Sequence, residues 1–535
     1  MVFSTPALAG PLTAGSQNEA VIDPNVTVPN ETPCVVPLVT NAKFGADQVN
    51  YSFTPPSACP GPWAKVVLVM HIGLNAGVQY DRSGELIMAG VPIWFGTTAE
   101  PSPNLGPNWT FEKDVTDDTA LFTTAQTGFL EIANYQSKTY NSTITADATL
   151  SFFPATTAYP APPTADKVLP LPGTGGIATL NGPTNPLSTT LTLPTNILHA
   201  TLDLYLQGQS GDEFWYSCVP NSLTTQLESC GGGALREGEI TVDTIPAGVA
   251  PVFPWIFTGG IDPELWAPIP GVQTLDFTAF HIDLSPFAGL LSNGASHTIA
   301  ASVYGDNGYF SATGALRLFL DHGATTVSGK ITTNTLAAAP SPSITQNVST
   351  TALGTTLANV VTRDRRAYVI EGTVTGSAGT TTNRVQQTSD FANRQIFSIS
   401  DTKYVQNITQ TTNITTTTTS TTGKTSISAT KTLSYPLSVD ITELTPAIGN
   451  ITQTTSIDQN FLESDTGTSL PPSTLADHIT TADTLILNSS FELIGNSGQS
   501  ETATYSRSGF NLPCFKRTLT AAANMLTGAV TGCGK

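Results

Sequence analysis

Charge is scarce in this chain of 535 residues, and positive charge scarcest. Only 11% of residues are Asp, Glu, Lys or Arg, and 21 Lys and Arg stand against 40 Asp and Glu, a formal net charge of −19. Such a surface repels a phosphate backbone, so no nucleic-acid partner is expected. No run of about 18 apolar residues occurs, so no transmembrane helix is expected. The histidines (His71, His199, His281, His297, His322 and His478) lack ligand spacing such as HExxH, and no two cysteines have CxxC spacing. No metal and no cofactor is therefore expected. Nucleophile elbows of the GxSxG type and P-loops are missing too. Helical periodicity is sparse before residue 330.

What remains favours strands. Gly (45) and Pro (38) are frequent, Thr and Ser abound, and 39% of residues are hydrophobic, a composition for short strands joined by tight turns. Leu202, Leu204 and Leu206 alternate with Thr201, Asp203 and Tyr205, and Ile240 and Val242 with Glu239, Thr241 and Asp243. Each set puts apolar residues on one strand face. The fold class is all-β, a sandwich or jelly roll. Residues 1–32 read as a flexible arm, 33–160 as a first β-domain, and 161–194 as a Pro/Gly-rich connection. Residues 195–330 read as a second β-domain and 340–535 as a Thr-rich β C-terminal domain, with Ala337–Pro342 as a linker. The Thr411–Thr422 tract is either a spacer or an exposed strand; strand character through Ile441 favours the strand.

Six cysteines fall into three close pairs, Cys34 with Cys59, Cys218 with Cys230 and Cys514 with Cys533. Three local disulfides are the simplest pairing, although spacing alone does not fix connectivity. Asn-x-Ser/Thr sequons occur at Asn25, Asn30, Asn50, Asn108, Asn141, Asn347, Asn407, Asn413, Asn450 and Asn488. Together with the cysteines they point to a secreted, extracellular or acidic-compartment glycoprotein. Met1–Gly10 lacks the basic and apolar stretches of a signal peptide, so a leader is expected to have been removed. A monomer is expected.

Two segments carry candidate chemistry. In Asp212-Glu213-Phe214-Trp215-Tyr216, two carboxylates abut three aromatic rings; Gln79-Tyr80-Asp81-Arg82 sets an acid beside a cation. Carboxylates supply acid and base, and aromatic faces offer a platform for a sugar ring. Glu237 and Glu239 have the parity opposite to Ile240 and Val242 and are expected to face outward. Arg236 has the core-side parity, and pairing with Asp212 or Glu213 is as reasonable for it as holding substrate. Trp94, Trp255 and Trp266 are further candidate platforms, although a tryptophan in a β-protein is more often core.

These segments resemble the plant and fungal acidic peptide-N4-(N-acetyl-β-glucosaminyl)asparagine amidases, the amidase A family. The resemblance runs in order through Tyr51–Cys59, Gln79–Arg82, Thr98-Ala99-Glu100-Pro101, Trp109–Thr116, Asp212–Tyr216, Leu235-Arg236-Glu237, Phe257–Pro263 and Leu265-Trp266. It implies release of N-glycans from N-glycopeptides by water attack on the β-amide that joins Asn to N-acetylglucosamine. The family is similar to the bacterial peptide:N-glycanase, which implies two adjacent jelly rolls. It also implies Asp81 as the principal catalytic carboxylate, Arg82 as a sugar contact and Tyr80 in place of a Trp. Where the bacterial family has a further first-domain acid this chain has none, and Asn134 is the expected polar substitute. The bacterial second-domain Glu falls near Gly232, so Glu213 is expected to take its role. Tyr80, Arg82, Asn134, Asp212, Trp215, Tyr216, Arg236, Trp255 and Trp266 are the expected substrate-binding residues. A lectin on the same scaffold, a glycosidase and a structural cell-wall glycoprotein are the alternatives.

Overall fold

The computed structural model describes residues 12–45, 48–172, 175–182, 185–468, 471–509 and 512–533. Eight strands build the first unit: β1 (Cys34–Phe44), β2 (Val49–Phe53), β3 (Trp63–Leu74), β4 (Ser83–Met88), β5 (Val91–Thr97), β6 (Asn108–Asp114), β7 (Gln126–Ile132) and β8 (Ile144–Pro154). They pair as two sheets, β1-β8-β3-β6 and β2-β7-β4-β5. That interleaving of the first strand with the eighth and the second with the seventh is the double Greek key of a jelly roll. Between the sheets, Val66, Leu68, Met70 and Ile72 of β3 are fully buried, as are Ala146, Ala148 and Leu150 of β8. Each large side chain so removed from water contributes roughly 1.5–3 kcal/mol.

β9 (Lys167–Leu171) leads into the second unit: β10 (Ala178–Leu180), β11 (Leu187–Thr192), β12 (Ile197–Gln209), β13 (Glu237–Val242), β14 (Ile245–Pro251), β15 (Phe280–Asp283), β16 (Ser296–Tyr304) and β17 (Tyr309–Leu320). Its sheets are β10-β17-β12-β15, extended by β9, and β11-β16-β13-β14. Counted from its own first strand, this unit repeats the strand order of the first. The fold is thus two jelly rolls, with β9, β10 and β11 drawn from the Pro/Gly-rich stretch read as a connection.

Twelve further strands, from Ser328–Asn334 to Met525–Gly532, form one antiparallel sheet. It begins before Ala337–Pro342, so that segment joins two of its strands. The Thr tract lies within a single strand, Lys403–Thr422. One face of this sheet lies against the second jelly roll, and there Gln and Asn side chains satisfy loop carbonyls that have no strand partner. Asn393 Nδ2 donates to Tyr216 O (2.8 Å), Gln395 Nε2 to Cys218 O (2.9 Å), Gln406 Nε2 to Ser217 O (2.9 Å) and Gln459 Nε2 to Pro254 O (2.7 Å). The sheet also corrects the expectation for Glu237 and Glu239. Their parity is as read, but they meet protein rather than solvent: Arg366 Nη1 donates to Glu237 Oε1 (2.6 Å) and Glu239 Oε1 (2.8 Å).

The described part of the N-terminal arm, residues 12–32, is not free. Gly15 N–H donates to Leu526 O and Leu526 N–H to Ser16 O, Ala20 N–H donates to Pro268 O, and Arg517 Nη1 donates to the carbonyls of Val21, Ile22 and Asp23. Val26 N–H donates to Glu112 of the first jelly roll. Backbone that makes no strand of its own is thus held by all three units. Residues 1–11 of the arm lie outside the described residues. Disulfides join Cys34 to Cys59, Cys218 to Cys230 and Cys514 to Cys533. No helix among the described residues is long and apolar enough to cross a membrane.

Where arm, jelly roll and long sheet meet, carboxyl groups face one another without cations. Glu19 and Glu501 are buried, each with an oxygen that has no hydrogen-bond partner. Burial, and then the charge of Glu19, raises the Glu501 acid. Asp262 and Asp483 form a similar pair: burial first, with Asp483 adding, pushes Asp262 up to about 7, and burial pushes Asp483 up to about 6. Such groups bind protons more tightly folded than unfolded. Stability is therefore present in full near the unfolded carboxyl value of about 4 and is lost as pH rises through the folded values. The melting temperature should be higher at pH 5 than at pH 8 by calorimetry, and Glu501→Gln should reduce the loss. A melting temperature that rises over that interval would contradict this account.

Candidate functional site

Four segments converge at the seam between the jelly rolls. Gln79–Arg82 leads into β4, and Glu100 lies three residues beyond β5. Glu213 follows the single 3-10 turn Ser210–Asp212 at the end of β12, and Thr258–Gly260 lies in the connection between β14 and β15. Backbone bonds lock them together. Thr97 N–H donates to Thr274 O (3.0 Å), Phe277 N–H to Phe95 O (2.9 Å) and Thr98 N–H to Arg82 O (2.9 Å). Thr258 Oγ1 donates to Thr98 O (2.8 Å), and Ser83 Oγ meets Gln207 across the seam.

Asp81 and Glu100 share one corner of this frame. Asp81 N–H donates to Glu100 Oε2 and Gly259 N–H donates to Asp81 Oδ2, each at 3.3 Å. A β-carbon at Gly259 would collide with Glu100 Oε2 and lie 2.9 Å from Asp81 Oδ1. The second jelly roll approaches the two acids through a glycine because no side chain fits there. Burial raises the Asp81 acid, opposed by the Gly259 N–H and the charge of Arg82. Burial, then the charge of Asp81, pushes Glu100 up to about 7, with Glu213 adding to the effect. Burial and then Asp81 likewise push Glu213 up to about 7. Three carboxyl groups from two domains thus sense one another, and among the described residues none of them forms a salt bridge with a cation.

Arg82 is buried behind this corner and turned away from it. Its guanidinium carbon lies 3.3 Å from the centre of the Tyr80 ring, and Nε donates to Gln79 Oε1 (3.0 Å). Gln79 Nε2 donates in turn to Asn134 Oδ1 (2.6 Å). The buried Nη2 of Arg82 has no hydrogen-bond partner. Tyr80 meets Tyr140 edge-to-face at 4.8 Å, and both rings are more than one-third exposed.

The remaining expected binding residues are not on this surface. Asn134 is fully buried, and its amide is used up by Gln79 and by the carbonyls of Phe44 and Ser142. It positions Gln79 and Arg82 and cannot reach a ligand. Asp212 and Arg236 form a closed ion pair (2.7 Å) with both side chains inaccessible. Asp212 also accepts from the N–H groups of Asn307 and Gly308, and Arg236 Nη1 donates to the carbonyls of Gly233 and Leu235. The pair holds the turn that presents Glu213, the structural alternative recognised for Arg236. Trp215 and Tyr216 pack under that turn, with Trp215 6.5 Å from Phe391 of the long sheet. Trp255 packs on Phe277 (4.4 Å), and Trp266 Nε1 donates to Gly260 O (2.9 Å), supporting the glycine turn from below. Trp94 Nε1 donates to Leu275 O. Trp215, Trp255 and Trp266 lie in a core shared with the long sheet, whereas Trp94 packs on Phe111 between the sheets of the first jelly roll.

Sequence reading gave no role to Glu100, Gly259 or Tyr140. An acid beside proline in a chain poor in charge was a signal for Glu100, but nothing in its spacing brings it to Asp81. Among the described residues no group of three or more His, Cys, Asp or Glu side chains is arranged to hold a metal ion. A cavity of about 1130 Å³ lies between the jelly rolls and the long sheet, and none of the three acids lines it.

The sequence model of the family described as peptide N-acetyl-β-D-glucosaminyl asparaginase amidase A matches residues 22–336. The chain belongs to that family. The match covers the second half of the arm, both jelly rolls and the first strand of the long sheet. The peptide-N4-(N-acetyl-β-glucosaminyl)asparagine amidase A of Prunus dulcis is 30% identical over an alignment of 332 residues, with 57% of each chain covered. The chain thus spans little more than half the length of that amidase A relative. Among solved structures, PNGF-II matches at 14% identity and TM-score 0.37, over 54% of this chain and 65% of its own. PNGase F from Flavobacterium meningosepticum matches at 13% and 0.36, over 54% and 96%.

The Asp212–Arg236 pair yields a stability prediction. Arg236→Ala would strand the Asp212 carboxylate in the core, and removing one partner of a buried pair costs about 3–5 kcal/mol. Urea unfolding should show a loss of that size; a loss below about 1 kcal/mol would mean that water already reaches the pair.

Proposed function

We propose that this chain hydrolyses the β-amide of N-glycopeptides, freeing the N-glycan as a glycosylamine and leaving Asp where Asn stood. One observation carries the proposal: Asp81, an acid held by a backbone N–H, lies within reach of the charge of Glu213, an acid of raised pKa from the other domain. An amide is a weak electrophile with a poor leaving group, so its hydrolysis needs a base for water and an acid for nitrogen. Asp81 is the base, since the Gly259 N–H and Arg82 favour its charged form. Glu213, largely protonated below neutrality, is the acid. The water oxygen bonds to the amide carbon and its proton passes to Asp81. The C–N bond then breaks as the Glu213 proton reaches nitrogen, and solvent returns the Asp81 proton to Glu213. The exposed Tyr80 and Tyr140 rings border the sugar, with Arg82 buried behind Tyr80 as its support.

The lectin alternative is weaker, because Trp215, Trp255 and Trp266, the platforms it required, are buried. Secretion and glycosylation belong to the proposal as well: nine of the ten sequon asparagines are exposed, and Asn488 is half-buried.

Mass spectrometry of a short N-glycopeptide incubated at mildly acidic pH in heavy-oxygen water tests the reading. The expected product is Asp carrying one heavy oxygen, with the intact glycan released. Asp81→Asn should abolish turnover, and Glu213→Gln should lower kcat by about 10²–10⁴. Recovery of N-acetylglucosamine still attached to Asn would indicate a glycosidase instead. Because Asp81 must be ionised and Glu213 protonated, kcat/KM should fall on the acid side through the raised Asp81 value and on the alkaline side near pH 7. A plateau extending to pH 9 would remove Glu213 as the acid.

A further inference from the structure

We propose that Glu100 is the proton-holding partner of Asp81, so that the two carboxyls act as a pair carrying one proton, with Glu100 neutral and Asp81 ionised. This rests on the amidase reading of the site. The geometry is that of two acids crowded onto one point: Glu100 Oε2 and Asp81 Oδ1 both lie within 2.9 Å of the place where a Gly259 β-carbon would be. Two carboxylates sharing a site do not both ionise readily. Arg82 and the Gly259 N–H offset their burial only in part. The charged groups acting on Glu100 are Asp81 and Arg82 from the approach to β4 and Glu213 from the β12 turn, while the Thr258–Gly260 segment brings only the Gly259 N–H. Arg82, the one cation, spends its guanidinium on the Tyr80 face and on Gln79.

The pair is asymmetric, which decides where the proton sits. Asp81 Oδ2 receives the Gly259 N–H, and Asp81 is next in sequence to Arg82. Glu100 receives one long bond, from the Asp81 N–H itself. The charged form is favoured at Asp81 and the neutral form at Glu100. The rise of Glu100 to about 7 through burial and Asp81 agrees with this. During turnover Glu100 keeps its proton. Water gives its proton to Asp81 and Glu213 gives its own to nitrogen, so the balance of the reaction is unchanged. Glu100 is a positioning residue that acts through Asp81, keeping a second negative charge away from the base.

The pH dependence of kcat/KM on a short N-glycopeptide separates this role from a merely structural one. In the wild-type protein both Glu100 and Glu213 must be protonated, so the alkaline limb should steepen towards about 100-fold per pH unit. Glu100→Gln is permanently neutral and still accepts the Asp81 N–H. Whatever its activity at pH 5, its alkaline limb should relax to about tenfold per pH unit. Limbs of equal slope in the two proteins would overturn the proposal. If Glu100→Gln does not fold, Glu100→Asp retains a titrating carboxyl at shorter reach. Its limb should stay steep while the midpoint moves down as the pair separates, and an unmoved midpoint would count against the pair. Unimpaired turnover by Asp81→Asn would sink the amidase mechanism itself, whereas a dead Asp81→Asn with equal limbs sinks only the role of Glu100.

Discussion

The structure depends on a short backbone splice between the two jelly rolls. Phe95 and Thr97, at the end of β5, bond to Phe277 and Thr274 of the second unit, and Thr258 is tied to Thr98. The acids of the site come from both sides of that splice, and their mutual charge effects exist only while it holds. Main-chain bonds suit this task because they have no rotamers to fix and define position to within the length of a hydrogen bond. Gly259 is the finest adjustment: one absent β-carbon allows the second domain to touch both acids of the first.

The scarcity of Lys and Arg that opens the sequence recurs inside the fold. Buried acids in most proteins find a cation. Here Asp212 finds Arg236, and Glu237 and Glu239 share Arg366, but among the described residues Glu100, Glu213, Asp262, Asp483, Glu19 and Glu501 form no salt bridge. Their alternative is to hold protons. The same shortage of cations therefore links the corner at Asp81 to the domain interfaces, where burial likewise favours the protonated acids.

The jelly-roll strands were legible where one face met a core and the other met something polar. Leu202, Leu204 and Leu206 alternate as read, and β12 carries them inward. Asp81, Arg82 and Glu213 were singled out by motif order, and the fold sets Asp81 and Glu213 within reach of each other's charge. What could not be read was cover. Trp215, Trp255 and Asp212 look like surface chemistry when only their own strand or loop is considered, yet neighbouring units bury them. Glu237 and Glu239 have the parity assigned to them, but parity does not say whether solvent or Arg366 lies opposite. Glu100 was missed for the same reason: its partner is 19 residues earlier in the chain and its confining glycine 159 residues later.

The bonds between Gly15, Ser16 and Leu526 have a consequence for how the chain is made. Each unit closes its own sheets, so the first jelly roll can form while the rest is still being synthesised. The arm cannot dock in the same way, because its anchor lies 511 residues further along. At ribosomal rates of about 5–20 residues per second that anchor emerges roughly 25–100 s later. Through that interval the Gly15–Ser16 end of the arm lacks its partner, whereas Pro268, which accepts the Ala20 N–H, has already been made. The arm is thus a latch that closes only once the hairpin carrying Leu526 has been added.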